Sequence, residues 1–322
     1  MHVLALVNQK GGCGKTTTAV NLAGALAERG EKVLLVDLDP QAHATLALGC
    51  AIESEPSIVD ALRDRVTIQE CVQSAPGGFH LAPATELLGT FEEVSARMIA
   101  PERVLARALE RLEMRYEHVI LDCPPRADGI LCANALRAAD TALLVIECST
   151  FALQGALKAI AVLEDAARNS DQPFALRAVG TMFDRRMRIA REVLIGMQAQ
   201  LGDVLFETTI RSSVRLREAA AAGVPVQVLD PKSRAASDFR ALAEELCDHA
   251  RARLARSMST IVARSDARSG ARSAAANERA SSSSAQRRDS ARVASPFASA
   301  ASTGREARAG ASAPAVDRSR TR

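Results

Sequence analysis

The chain has 322 residues, a net charge of +3 and seven Cys with no C-x-x-C pair. No apolar run approaches about 18 residues, which excludes a membrane-spanning helix, and the Cys pattern reads as reduced cytosolic thiols rather than a disulfide framework. Charge is unevenly spread: residues 251–322 hold 15 Arg against 5 Asp or Glu, so residues 1–250 are net acidic at −7. Those 250 residues suffice for one large domain with a substantial core.

The first apolar run, Val3–Val7, reads as a strand entered almost at once, leaving no room for a secretory signal. It feeds K-G-G-C-G-K-T-T at Lys10–Thr17. Gly11, Gly12 and Gly14 allow a tight turn whose N–H groups converge on an anion. Thr16–Glu28 follows with helical apolar spacing at Val20, Leu22, Ala23 and Leu26, and its N-terminus aims a positive dipole at the same point. Lys15 is placed to reach β- and γ-phosphates, and the Thr16 hydroxyl to ligate Mg²⁺. Gln9 stands where the common G-x-x-x-x-G-K-[ST] pattern has its first Gly. Two of only five Lys in a chain of 36 Arg fall in this loop. A simple cradle has no place for Lys10, which is therefore expected to serve a neighbouring subunit.

Further apolar runs follow at Val33–Val36, Val119–Leu121, Ala142–Ile146 and Ala178–Thr181, with helical segments between them. This alternation predicts an α/β fold with a mainly parallel sheet covered by helices, its ligand at the carboxyl ends of the strands. Asp37 and Asp39 follow the second run and Asp122 ends the third, so all three are expected beside the phosphate loop. Basic residues gather later: Arg185, Arg186, Arg188, Arg191, Arg211, Arg215, Arg217, Lys232 and Arg234. They read either as a DNA-binding face or as solvated helix surface with pairs such as Arg188–Glu192 and Arg215–Glu218. From about Ser265 the chain is dominated by Ala, Ser and Arg and is expected to be disordered, as either a passive extension or a cationic arm. Leu254, Met258, Ile261 and Val262, set among arginines, offer a small amphipathic face, which also fits the fraying end of a last helix running from Ala235 to about Arg256.

N-Q-K-G-G-C-G-K-T-T-T at Asn8–Thr18 resembles the deviant Walker A motif of ParA-type partition ATPases, in the group that includes MinD and the nitrogenase iron protein. The likeness continues through D-L-D-P-Q-A-H-A-T (Asp37–Thr45), L-D-C-P-P (Leu121–Pro125), N-A-L-R-A-A-D (Asn134–Asp140) and F-A-L-Q-G (Phe151–Gly155). It extends to T-M-F-D (Thr181–Asp184), V-R-L-R-E-A (Val214–Ala219) and D-P-K-S-R (Asp230–Arg234), covering about residues 1–250. Two segments depart: Ile210-Arg211-Ser212-Ser213 replaces the usual I-P-R-N, and A-H-A-T replaces G-N-A-T, putting Ala42 and a passive His43 in the switch-like segment.

The resemblance implies a P-loop NTPase domain over residues 1–256, followed by a basic low-complexity tail over 257–322. It implies ATP and Mg²⁺ as ligands, and an ATP hydrolase that is weak alone and stimulated by DNA and a partner. Nucleotide contacts then fall to Lys10, Gly11, Gly12, Cys13, Gly14, Lys15, Thr16, Thr17, Met182 and Asp184. Thr16, Asp37 and Asp122 serve the metal, Asp39 positions the attacking water, and Lys10 reaches across a nucleotide-sandwich homodimer. DNA is implied to meet Arg185, Arg186, Arg188, Arg215, Arg217, Lys232 and Arg234 without sequence preference. The implied setting is the cytoplasm, on the nucleoid, with a ParB-like partner and a plasmid or chromosome as cargo. A MinD-like membrane cycle and the positioning of a protein cargo are the alternatives.

Overall fold

Alternation along the first strand explains the layering. In β1 (His2–Val7), Val3, Ala5 and Val7 enter one core cluster while Leu4 and Leu6 enter another on the opposite face. A strand segment buried on both sides must be apolar throughout, and Val3–Val7 is. The computed structural model describes residues 1–50, 56–113, 115–126 and 128–255. The low-complexity tail, and all of the amphipathic pattern beyond Leu254, lie outside the described residues.

The other strands are β2 (Val33–Asp37), β3 (Gln73–Ala75), β4 (Phe79–Ala82), β5 (His118–Asp122), β6 (Thr141–Glu147), β7 (Ala175–Phe183) and β8 (Leu205–Arg211). They form one sheet in the order β3-β4-β2-β5-β1-β6-β7-β8, parallel throughout except for the β3–β4 hairpin. The five apolar runs read from the sequence fall inside β1, β2, β5, β6 and β7. The strands not anticipated, β3, β4 and β8, lie at or beside the edges.

Helices Ile130–Ala138 and Ala152–Arg168 supply the first core cluster, whereas Lys15–Glu28 and a last helix over residues 234–255 supply the second. Register fixes the site. Leu6 and Asp37 both pair with Asp122, so the carboxyl ends of β1, β2 and β5 finish at one level. No helix among the described residues is long and apolar enough to cross a membrane.

Candidate phosphate-binding site

The loop after β1 is held from both sides. Asn8 Nδ2 donates to the Val145 carbonyl at 2.6 Å, and Asn8 Oδ1 accepts the Lys10 N–H at 2.9 Å. On the far side the buried Thr181 hydroxyl, at the end of β7, donates to the Cys13 carbonyl at 2.7 Å and lies 3.2 Å from the Ile146 carbonyl. Gly12 (φ 73°) and Gly14 (φ 95°) sit in the left-handed region that glycine adopts without steric cost. Gly14 opens the helix Lys15–Glu28 with no side-chain cap, so its first-turn N–H groups are free for an anion.

Lys15 is 7% exposed, and its Nζ lies 3.5 Å from the Lys10 carbonyl, its only side-chain hydrogen bond among the described residues. Lys10 lies outside the cradle and exposed, its ammonium paired with Glu147 and 3.4 Å from the Ser149 hydroxyl. Cys13 contributes backbone alone, because its side chain is buried in the second core cluster.

The three aspartates differ sharply. Asp37 is fully engaged: Oδ2 accepts the Thr45 N–H (2.9 Å) and hydroxyl (2.8 Å), and Oδ1 accepts the Asp39 N–H (3.1 Å). Thr45 in turn accepts the Ala84 N–H at 3.0 Å, which ties the segment after β2 to the chain beyond β4. Asp39 is 7% exposed, faces the cleft and accepts the Gln41 N–H at 3.0 Å. Asp122 is fully buried, and neither of its oxygens has a hydrogen-bond partner. Burial, and then the neighbouring Asp37, push its carboxyl pKa up, while the Thr16 hydroxyl and the Lys15 ammonium pull it down. Ionising such a buried carboxyl costs several kcal/mol, so it holds its proton unless a cation meets it.

The resulting cleft holds about 510 Å³. Its lining combines the loop glycines, Lys15, Thr16, Thr17 and Asp39 with apolar Met182, Leu216, Ala220 and Val224. Polar groups for phosphates and apolar surface for a flat ring suit a nucleotide. Met182 holds φ 54°, a left-handed backbone uncommon outside Gly, Asn and Asp. Asp184 does not line the cleft, and its carboxylate is engaged by Arg186 at 2.8 Å. Sequence reasoning singled out T-M-F-D for Met182 and Asp184 but missed Thr181, whose grip on the loop only β7–β6–β1 adjacency reveals.

Among the arginines expected on a DNA face, Arg186 pairs with Asp184, Arg188 with Glu192 (2.7 Å), and Arg215 with both Glu218 (2.8 Å) and Asp230 (3.2 Å). Arg185, Arg217, Lys232 and Arg234 are exposed and make no ion pair among the described residues. Arg211, in the segment that departs from the family, is committed elsewhere: its backbone N–H and Nε both bond the buried Asp238, locking β8 to the last helix.

Comparison with known proteins agrees with this geometry. A family profile described as an AAA domain matches residues 1–175. The sporulation initiation inhibitor protein Soj of Bacillus subtilis is 35% identical over 247 residues, spanning 76% of this chain and 97% of its own. The chromosome partitioning protein ParA of Caulobacter vibrioides is 33% identical over 261 residues, spanning 80% and 97%. Among solved structures, cobyrinic acid a,c-diamide synthase from Mycobacterium smegmatis with bound ATP analog and magnesium superposes with TM-score 0.68 at 30% identity, over 78% of this chain and 96% of that one. The septum site-determining protein MinD of Pyrococcus horikoshii with Mg-ADP gives 0.61 at 25%, over 76% and 95%. With its glycine cradle, buried lysine and strand-end aspartates in this order on this sheet, the chain belongs to the ParA/Soj-type partition ATPases.

Proposed function

We propose that this protein is a Mg²⁺-dependent ATPase that closes into an ATP-bound dimer, binds DNA without sequence preference and partitions or positions DNA with a ParB-like partner. The observation that carries the reading is Asp122, a buried carboxylate with two unpartnered oxygens facing Thr16 and Lys15. A hard divalent cation with its hydration shell fits that donor set, held through Thr16 and, through water, Asp122. A Mg²⁺ held there would supply positive charge to offset that of the bound phosphates. Lys15 and the first-turn N–H groups hold the phosphates in the nest, and Asp39 accepts a hydrogen bond from the attacking water to hold it in line. Asp37, its oxygens taken, stiffens the segment that carries Asp39.

Lys10 reaches a nucleotide held by a second protomer by exchanging Glu147 for the γ-phosphate, which makes ATP a dimerisation ligand. Arg185, Arg217, Lys232 and Arg234 give DNA unpaired charge, and the paired Arg186, Arg188 and Arg215 join by giving up their carboxylates. The setting that follows is the cytoplasm, on the nucleoid.

Light scattering and nucleotide binding on three variants test the reading. Lys15→Ala binds no ATP, Asp39→Ala binds it and stays dimeric, and Lys10→Ala binds it as a monomer. Wild-type hydrolysis by Lys15→Ala refutes the site, and an ATP-dependent dimer of Lys10→Ala refutes the sandwich.

A further inference from the structure

At the opposite end of the sheet from the cleft, three metal-ligating side chains of three different kinds converge. His118 opens β5, and Glu31 precedes β2. The Glu117 and His118 N–H groups both reach the Lys32 carbonyl, at 2.8 and 3.2 Å, and so hold the two starts together. Cys247 comes down from the last helix and is 3% exposed. His118 Nε2 lies 3.9 Å from Cys247 Sγ and 4.0 Å from Glu31 Oε2, and all three donor atoms lie within 4.8 Å of one another.

His118 is poorly served without a further partner. It is 7% exposed, its Nδ1 has no hydrogen bond, and its Nε2 has only those two long contacts. The His2 ring lies edge-on to it, with centroids 5.8 Å apart. A buried imidazole with so little compensation costs stability.

We propose that Glu31, His118 and Cys247 form a binding site for a zinc-class divalent cation, separate from the nucleotide cleft. One sulfur, one imidazole nitrogen and one carboxylate oxygen suit a borderline-soft ion and not Mg²⁺. Tetrahedral coordination at ordinary zinc distances sets donors about 3.3–3.6 Å apart, so the observed trio needs to close by roughly 0.4–1.3 Å. The partly exposed Glu31 has the freedom to do so. Thiolate and carboxylate together balance the ion's two charges, so no net charge is buried beside Arg29 and Arg251, which face the same residues. No fourth protein donor joins the group among the described residues, leaving one position for water. Bound metal ties the last helix to the starts of β2 and β5.

The test uses the full-length protein, reduced and stripped with a chelator, then titrated with Co²⁺ and back-titrated with Zn²⁺. The expected result is one Co²⁺ per chain with a thiolate-to-cobalt charge-transfer band, loss of that band on adding Zn²⁺, no competition from excess Mg²⁺, and a higher melting temperature with Zn²⁺. Cys247→Ser abolishes the band. Glu31→Gln, which leaves the core intact, weakens Co²⁺ binding about tenfold or more while circular dichroism and melting in chelator stay at wild-type values. No thiolate–cobalt band in the wild type, a band that survives Cys247→Ser, or unchanged affinity in Glu31→Gln overturns the proposal.

Discussion

Replacing Thr181 by Val tests whether the phosphate loop is held in shape from β7. The side chains are nearly isosteric, so the change removes one hydroxyl and little volume. The lost bond is short, 2.7 Å to the Cys13 carbonyl, and lies in a residue 2% exposed. A buried neutral hydrogen bond contributes about 0.5–1.5 kcal/mol, rising to about 1–3 kcal/mol when the remaining acceptor finds no replacement donor. For a domain of this size each 1 kcal/mol lowers the melting temperature by roughly 2–4 °C, so Thr181→Val should melt about 2–12 °C below wild type. The loosened loop must also be ordered by the nucleotide, and each 1.4 kcal/mol drawn from binding weakens affinity about tenfold. Thermal melts and fluorescent-nucleotide titration read both effects. Thr181→Ser keeps the hydroxyl and should retain nucleotide affinity, which separates the bond from general packing. A Val variant that melts and binds ATP like wild type would show that the loop is held by other contacts.

Two further perturbations act on strained or unpaired groups. In metal-free protein Asp122 binds its proton more tightly folded than unfolded, so this group's contribution to stability declines as pH rises from about 4 toward its raised folded value of about 8. Asp122→Asn should flatten that decline in melts with chelator while losing Mg²⁺-dependent hydrolysis; an unchanged pH slope refutes the assignment. Ala42 holds φ 52° in the segment between Asp39 and Thr45, a left-handed backbone that costs a non-glycine residue about 1–2 kcal/mol. Ala42→Gly should therefore raise stability by up to about 1 kcal/mol after glycine's greater loss of chain entropy, and a lower melting temperature refutes it.

The central strands were legible because burial on both faces leaves one signature, an unbroken apolar run, and β1, β2, β5, β6 and β7 all carry it. β8 was not, because L-F-E-T-T-I-R at the sheet edge mixes Glu and Thr with apolar residues, and only part of it is buried. Lys15, Thr16 and the glycines could be placed from spacing alone, since loop and helix are contiguous. Asp37 and Asp122 look alike in sequence, each closing an apolar run, yet Thr45 and the Asp39 N–H bond the first, while the oxygens of the second have no hydrogen-bond partner among the described residues. That difference arises eight residues downstream and across the sheet, where no local pattern reaches. Likewise Arg211 reads as surface charge until Asp238, 27 residues on, is folded against it.

The two core faces are not completed together as the chain leaves the ribosome. The face that receives Ile130–Ala138 and Ala152–Arg168 has nearly all its residues by Leu205. The face beneath the phosphate-loop helix, which holds Leu4, Leu6, Leu35 and Val145, still needs Phe239, Leu242 and Leu246 to complete its cluster. The nucleotide-binding half of the molecule, begun with the first strand, is thus closed by the last helix among the described residues. Until then a nascent chain presents that apolar face to its surroundings, where aggregation competes with folding and chaperones have most to do.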